Sequence, residues 1–249
     1  MSGDVGATAV LLGYYAVVLG VVPMAVKAST RVPDEVVRKF QHVGYAASIF
    51  IVLGLFERWY AAVLANALLV LIAYPLLAAL ERRDAYHQLL TDRTEEGGEL
   101  RRQVLYVHLT FVVLIAGLWG ALGPATKPVI AAAVMAWGLG DAAAALIGKF
   151  VGRREVEHPA VERAKTVEGT AAMAVAAVAA IALSLALYGG ASWAVAIPVA
   201  LIAGPLAGLI ELVSRDGVDT ITVPLGTAVA VLVLLVLVRF WTTGVAAGS

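Results

Sequence analysis

The chain has 249 residues, 61% of them hydrophobic and 14% charged, with 18 Lys and Arg against 18 Asp and Glu and no cysteine. That balance, with a mean hydropathy of +0.89, lies outside the range of soluble globular domains. It excludes disulfides, thiol nucleophiles and cysteine-ligated metals, and a net charge of zero gives no reason to expect nucleic acid as a partner.

About 20 apolar residues span a bilayer core as a helix. Eight candidates follow one another: 5–26, 43–56, 59–80, 104–123, 128–148, 168–188, 191–213 and 220–241. The predicted fold is an all-α integral membrane protein, a single polytopic domain over 1–249 built as a bundle of about eight transmembrane helices. No Lys or Arg precedes the first run, so a cleavable signal peptide is not expected. The second run is short, and its helix is expected to begin as an amphipathic turn near Glu35. After the third run comes the longest polar stretch, 81–103, mixed in sign and containing Gly97-Gly98. It reads as a short surface helix followed by a turn. The loop after the fifth run, KFVGRREVEHPAVERAKTVEG, is also mixed in sign and is broken at Pro159. The alternate connections are short: Glu57-Arg58, a turn at Gly123-Pro124, and Gly189-Gly190.

Charge divides sharply between the two faces that eight spans define. The segments 27–42, 81–103, 149–167 and 214–219 hold 15 of the 18 Lys and Arg residues, leaving Arg58, Lys127 and Arg239 for the other face. The positive-inside rule predicts that these charged loops are cytosolic and both termini outside. Polar mass on one side suits an enzyme drawing a water-soluble substrate from the cytosol better than a transporter, which needs a route to both sides.

Four constellations stand at that charged face. In WGLGDAAAALIGKFVGRR, Asp141 lies in an apolar run, with Ala145, Gly148 and Gly152 on its helical face at i+4, i+7 and i+11. Glycines at this spacing suit either close helix packing or close approach of a ligand to the backbone. A carboxylate in the hydrocarbon is costly and marks a functional site. In RAKTVEGTAAM, the ammonium of Lys165, the hydroxyl of Thr166 and the carboxylate of Glu168 precede Gly169 at a helix start. Such an N-terminus suits phosphate, with Glu168 a candidate metal ligand; a capped membrane boundary is the bland reading. Arg38, Lys39 and His42 precede the second run, and suit either a triphosphate or an ordinary positive anchor. In ELVSRDGVDTITVPLG, Glu211 and Asp219 bracket a turn at Asp216-Gly217. Cations for phosphates and carboxylates for Mg²⁺ thus gather where a lipid headgroup would sit, which points to nucleotide-dependent chemistry on a lipid.

The pieces EVVRKFQH (35–42), GDAAAALIGKFVG (140–152), KTVEGTAAM (165–173) and E-x7-D-x4-P (211–224) occur in an order that resembles the polyprenol kinase family. These are CTP-dependent lipid kinases that include dolichol, phytol and yeast-type diacylglycerol kinases, and the resemblance spans about residues 31–230. It implies transfer of the γ-phosphoryl of CTP to a membrane isoprenoid alcohol, with Mg²⁺ as cofactor. The family's nucleotide-site roles fall on Arg38, Lys39, Asp141, Gly148, Gly152, Lys165, Glu168 and Gly169, with Thr166 between them, and Asp141 and Glu168 as metal ligands. Asp219 or Glu211 would position the lipid hydroxyl, and His42 is a rival base. The chain departs from the family at Asp219-Thr220, where an Asp-Asn pair is usual, and at Thr170, where Ser is frequent.

Two other functions fit parts of the pattern. A CTP:lipid-phosphate cytidylyltransferase would share the Gly-Asp chemistry, but its basic signature late in the chain is missing, since no Lys or His follows Glu211. A proton- or cation-coupled transporter would use Asp141 as its ion site, but would need polar residues on the outward halves of the spans.

Overall fold

The computed structural model describes residues 2–29, 32–81, 98–162 and 165–247. The surface helix expected within 81–103 falls mostly outside these residues. Among those described, the regular elements are all helices, with one isolated antiparallel bridge between Glu155 and Thr166. It divides into two compact units, Met1–Pro124 and Ala125–Ser249.

The first unit opens with α1 (Ser2–Tyr14), which widens into π-helical turns at Tyr15–Val21 and continues as α2 (Val22–Ser29). Helix α3 (Asp34–Leu55) follows Pro33, and Asp34 and Glu35 in its first turn complement the helix dipole. The short second apolar run is therefore the second half of a longer helix that starts near Glu35. Helix α4 (Trp59–Leu80) buries only Ala62, Ala65 and Asn66. Its Leu64, Leu68, Leu71, Ile72 and Leu76 are exposed, a face that suits acyl chains rather than water. Helix α5 (Glu99–Leu114) continues into π turns at Ile115–Gly120.

Polar pins hold this unit. The hydroxyl of Tyr14 donates to the carbonyl of Gly44 at 2.9 Å, and those of Tyr15 and Ser48 are bonded at 2.9 Å. At Gly120 a Cβ would lie 3.0 Å from the Trp59 ring, so α4 and α5 meet through the missing side chain.

The second unit is built from α6 (Lys127–Phe150), α7 (Val167–Leu183, ending in π turns at Ser184–Tyr188), α8 (Trp193–Val213) and α9 (Asp219–Ala247). Each helix packs on the next, and α9 returns to α6, so the four close into a ring. Every position of α6 from Val129 to Gly138 is buried. An alanine-rich helix that is apolar all round suits such a place, because small side chains let neighbouring backbones approach. Prolines 198, 205 and 224 lie within helices, as membrane helices tolerate.

Among the described residues, seven helical stretches are long and apolar enough to cross a membrane: Gly3–Val26, Trp59–Leu80, Leu100–Gly120, Pro124–Phe150, Val167–Tyr188, Trp193–Val213 and Asp219–Arg239. The second expected span, 43–56, lies in α3, which falls short because Arg38, Lys39, Gln41 and His42 occupy its first half. The protein is an all-α polytopic membrane bundle.

Candidate active site

Alternation of the four helices brings the end of α6, the start of α7, the end of α8 and the start of α9 to one end of the second unit. The second-unit candidates from the sequence lie in the half of the unit nearer this end, Asp141 furthest from it. Asp141 is partly buried on α6, nine residues before Phe150, hence about 13 Å along the helix from its end.

The glycine strip has a definite neighbour. A Cβ on Gly140 would run into Met173, one on Gly148 would lie 3.1 Å from the Thr166 hydroxyl, and one on Gly169 would lie 2.9 Å from the carbonyl of Ala144. Gly152 likewise faces Thr166, whose hydroxyl would be 2.9 Å from an added Cβ. In this structure the strip is the seam between α6 and α7, and it places the start of α7 beside the helix that carries Asp141.

Thr166 caps α7: its buried hydroxyl accepts from the N–H of Gly169 at 3.1 Å. The reciprocal glutamate of a capping box is absent, because Gly169 stands where it would be. Glu168 turns instead to the preceding loop, its Oε2 accepting the N–H groups of Arg153 at 3.2 Å and Arg154 at 3.3 Å. The loop strands beside it are joined by Val156 N–H to the Lys165 carbonyl at 2.8 Å and Val167 N–H to the Arg154 carbonyl at 2.9 Å.

Lys165 reaches across to α8. Its ammonium pairs with Glu211 Oε1 at 2.9 Å and donates to the carbonyls of Glu211 and, at 3.1 Å, Ser214. All three of its donors are thus engaged, two of them on carbonyls at the end of α8, where a cation also complements the helix dipole. Asp216 and Gly217, with φ of 54° and 75°, make the turn into α9. Both conformations are left-handed, the region open to Gly and tolerated by Asp. Asp219 then opens α9, and its Oδ2 accepts the indole N–H of Trp137 at 3.3 Å.

Arg38, Lys39 and His42 belong to the first unit. Arg38 pairs with Glu35 one turn earlier, Lys39 and His42 are buried, and Nδ1 of His42 accepts the Gln103 amide at 2.9 Å. These contacts set the polar half of α3 against α5.

Among the described residues no three His, Asp or Glu side chains group closely enough to hold a metal ion. The pair expected to do so, Asp141 and Glu168, offers hard carboxylate oxygens, of which Mg²⁺ takes one or two and completes its shell with phosphate and water. Glu168 fits that use, because Oε2 is occupied by two N–H groups while a carboxylate has further lone pairs to give. Trp137 was not legible as part of this region, although its place one turn before Asp141 was the available signal. The engagement of Arg153 and Arg154 through their backbones had no signal at all.

No family model matches the chain, and no solved structure does. A curated protein named phytol kinase, from Synechocystis sp., is 29% identical over 222 residues, covering 88% of this chain and 89% of that protein. The aligned length takes in nearly the whole chain, well beyond the motif segments. This relative supports the resemblance to polyprenol and phytol kinases.

Proposed function

We propose that this protein is a membrane lipid kinase that phosphorylates the hydroxyl of an isoprenoid alcohol, with CTP as the donor. The observation that carries the reading is that Lys165 pairs with Glu211 and Asp219 accepts from Trp137, one turn from Asp141, in a chain similar to a phytol kinase. The excess of Lys and Arg in the loops at that end of the second unit supports a cytosolic position for it.

In this reading Asp141 and Glu168 would supply carboxylate oxygens to Mg²⁺, which would provide positive charge against the triphosphate. Glu168 also anchors the Arg153-Arg154 backbone, so the loop bearing two guanidinium groups stays beside the phosphate region. A phosphate oxygen competes with Glu211 Oε1 for the Lys165 ammonium. Asp219 receives the proton of the lipid hydroxyl as its oxygen bonds the γ-phosphorus. The bond from that phosphorus to the bridging β-oxygen breaks, leaving a nucleoside diphosphate and a lipid monophosphate. Catalysis of this kind rests on positioning and charge, without a covalent enzyme intermediate.

Purified protein incubated with Mg²⁺, CTP labelled at each phosphate in turn, and a panel of prenyl alcohols tests the reading. CDP with a labelled lipid monophosphate is the outcome it requires. Pyrophosphate with a CDP-lipid would replace it with cytidylyl transfer, and neither product would end both.

A further inference from the structure

Trp137 is almost wholly buried, 1% exposed, yet its ring carries a polar N–H that must be satisfied inside the protein. It is satisfied by Asp219, 82 residues later, at 3.3 Å. Trp137 and Asp141 lie one turn apart on the same face of α6, which puts their Cβ atoms about 6 Å from each other. The indole therefore brings the first carboxylate of α9 to the stretch of α6 that carries Asp141.

We propose that Trp137 is a positioning residue, whose indole N–H sets the Asp219 carboxylate in place relative to Asp141 for phosphoryl transfer. The proposal rests on the kinase reading, with Asp219 as the group that receives the acceptor's proton. Three properties suit Trp137 to the task. An indole N–H only donates, so it cannot exchange roles with the proton in transit. The ring is held in a buried helix, whereas Asp219 follows a left-handed turn, so the buried donor gives that carboxylate a fixed point of reference. Charge-assisted bonds are also directional, and a misplacement of about an ångström costs positioned catalysis roughly 100-fold.

The test uses the full-length protein and its Trp137→Phe, Asp219→Asn and doubly substituted forms. Phenylalanine keeps an aromatic ring in the core and removes the donor. Trp137→Phe should lower kcat about tenfold, the worth of one hydrogen bond to a charged group, with the KM for CTP unchanged. The double variant should be no slower than Asp219→Asn alone, because the indole acts through that carboxylate. A normal kcat in Trp137→Phe, or losses that multiply in the double variant, overturns the proposal. A second readout is independent of turnover: the ¹⁵N–¹H indole resonance of Trp137, assigned by its loss in Trp137→Phe, should shift in Asp219→Ala. An unmoved resonance overturns the proposal directly. If that resonance shifts but the unaltered protein transfers no phosphoryl group, the kinase reading fails and the bond is a helix pin, so the positioning role falls with it.

Discussion

Lys165 and Glu211 form an ion pair of 2.9 Å that ties the start of α7 to the end of α8, with the same ammonium also capping α8's carbonyls. Both side chains are largely withdrawn from solvent, at 17% and 11% exposure. Removing one partner of such a pair strands a charge, at a cost of about 3–5 kcal/mol, whereas replacing both with apolar groups is often close to neutral. Lys165→Met and Glu211→Leu should each lower the thermal midpoint in detergent. The double substitution should recover much of the loss. Additive losses would show that the two side chains act separately.

The seam between α6 and α7 makes a graded prediction. A Cβ at Gly169 meets the fixed carbonyl of Ala144 at 2.9 Å, while one at Gly148 meets the Thr166 hydroxyl at 3.1 Å. Gly169→Ala must push two backbones apart and should cost about 1–3 kcal/mol, as overpacking does. Gly148→Ala should cost less, since a side chain can give. Unfolding followed by tryptophan fluorescence would rank them, and equal stability of Gly169→Ala and the unaltered protein would remove the seam from the account.

Asp141→Asn keeps size and hydrogen-bonding capacity but removes the charge. If the carboxylate holds Mg²⁺, kinase turnover should fall at least about 100-fold, the scale of losing a positioned electrostatic partner. The thermal midpoint should hold or rise, because a charge costly in the membrane is gone. Near-normal turnover with unchanged Mg²⁺ dependence would make Asp141 structural.

Sidedness follows from the basic-residue split and is testable in a chain with no native cysteine. Ala160→Cys, in the exposed loop before α7, should be shielded from an impermeant thiol reagent in intact cells, whereas Ser192→Cys, before α8, should react. The opposite pattern would invert the orientation and move the proposed site out of the cytosol.

The spans were legible because a bilayer demands uninterrupted apolar length, and that demand is written residue by residue. The start of α3 was legible for the same kind of reason: Pro33 followed by Asp34 and Glu35 is a local signal, readable without knowing the neighbours. The Asp216-Gly217 turn was likewise local. What occupies the glycine strip was not, since periodicity names a face and leaves its partner open. Lys165 illustrates the same limit. Its sequence context suggested phosphate, but the contacts that engage it come from 46 and 49 residues away. The bond from Trp137 to Asp219, at 82 residues, is further still beyond any local pattern.

The ring of four helices closes only where its first and last members meet, and this fixes an order of events during synthesis. Helices α6, α7 and α8 can enter the bilayer and pair as successive hairpins while α9 is still on the ribosome. The indole of Trp137 acquires its carboxylate acceptor only when α9 arrives. The link between α6 and Asp219 is therefore completed by the last of these four helices to be made, so a chain without α9 carries the indole of α6 without that carboxylate.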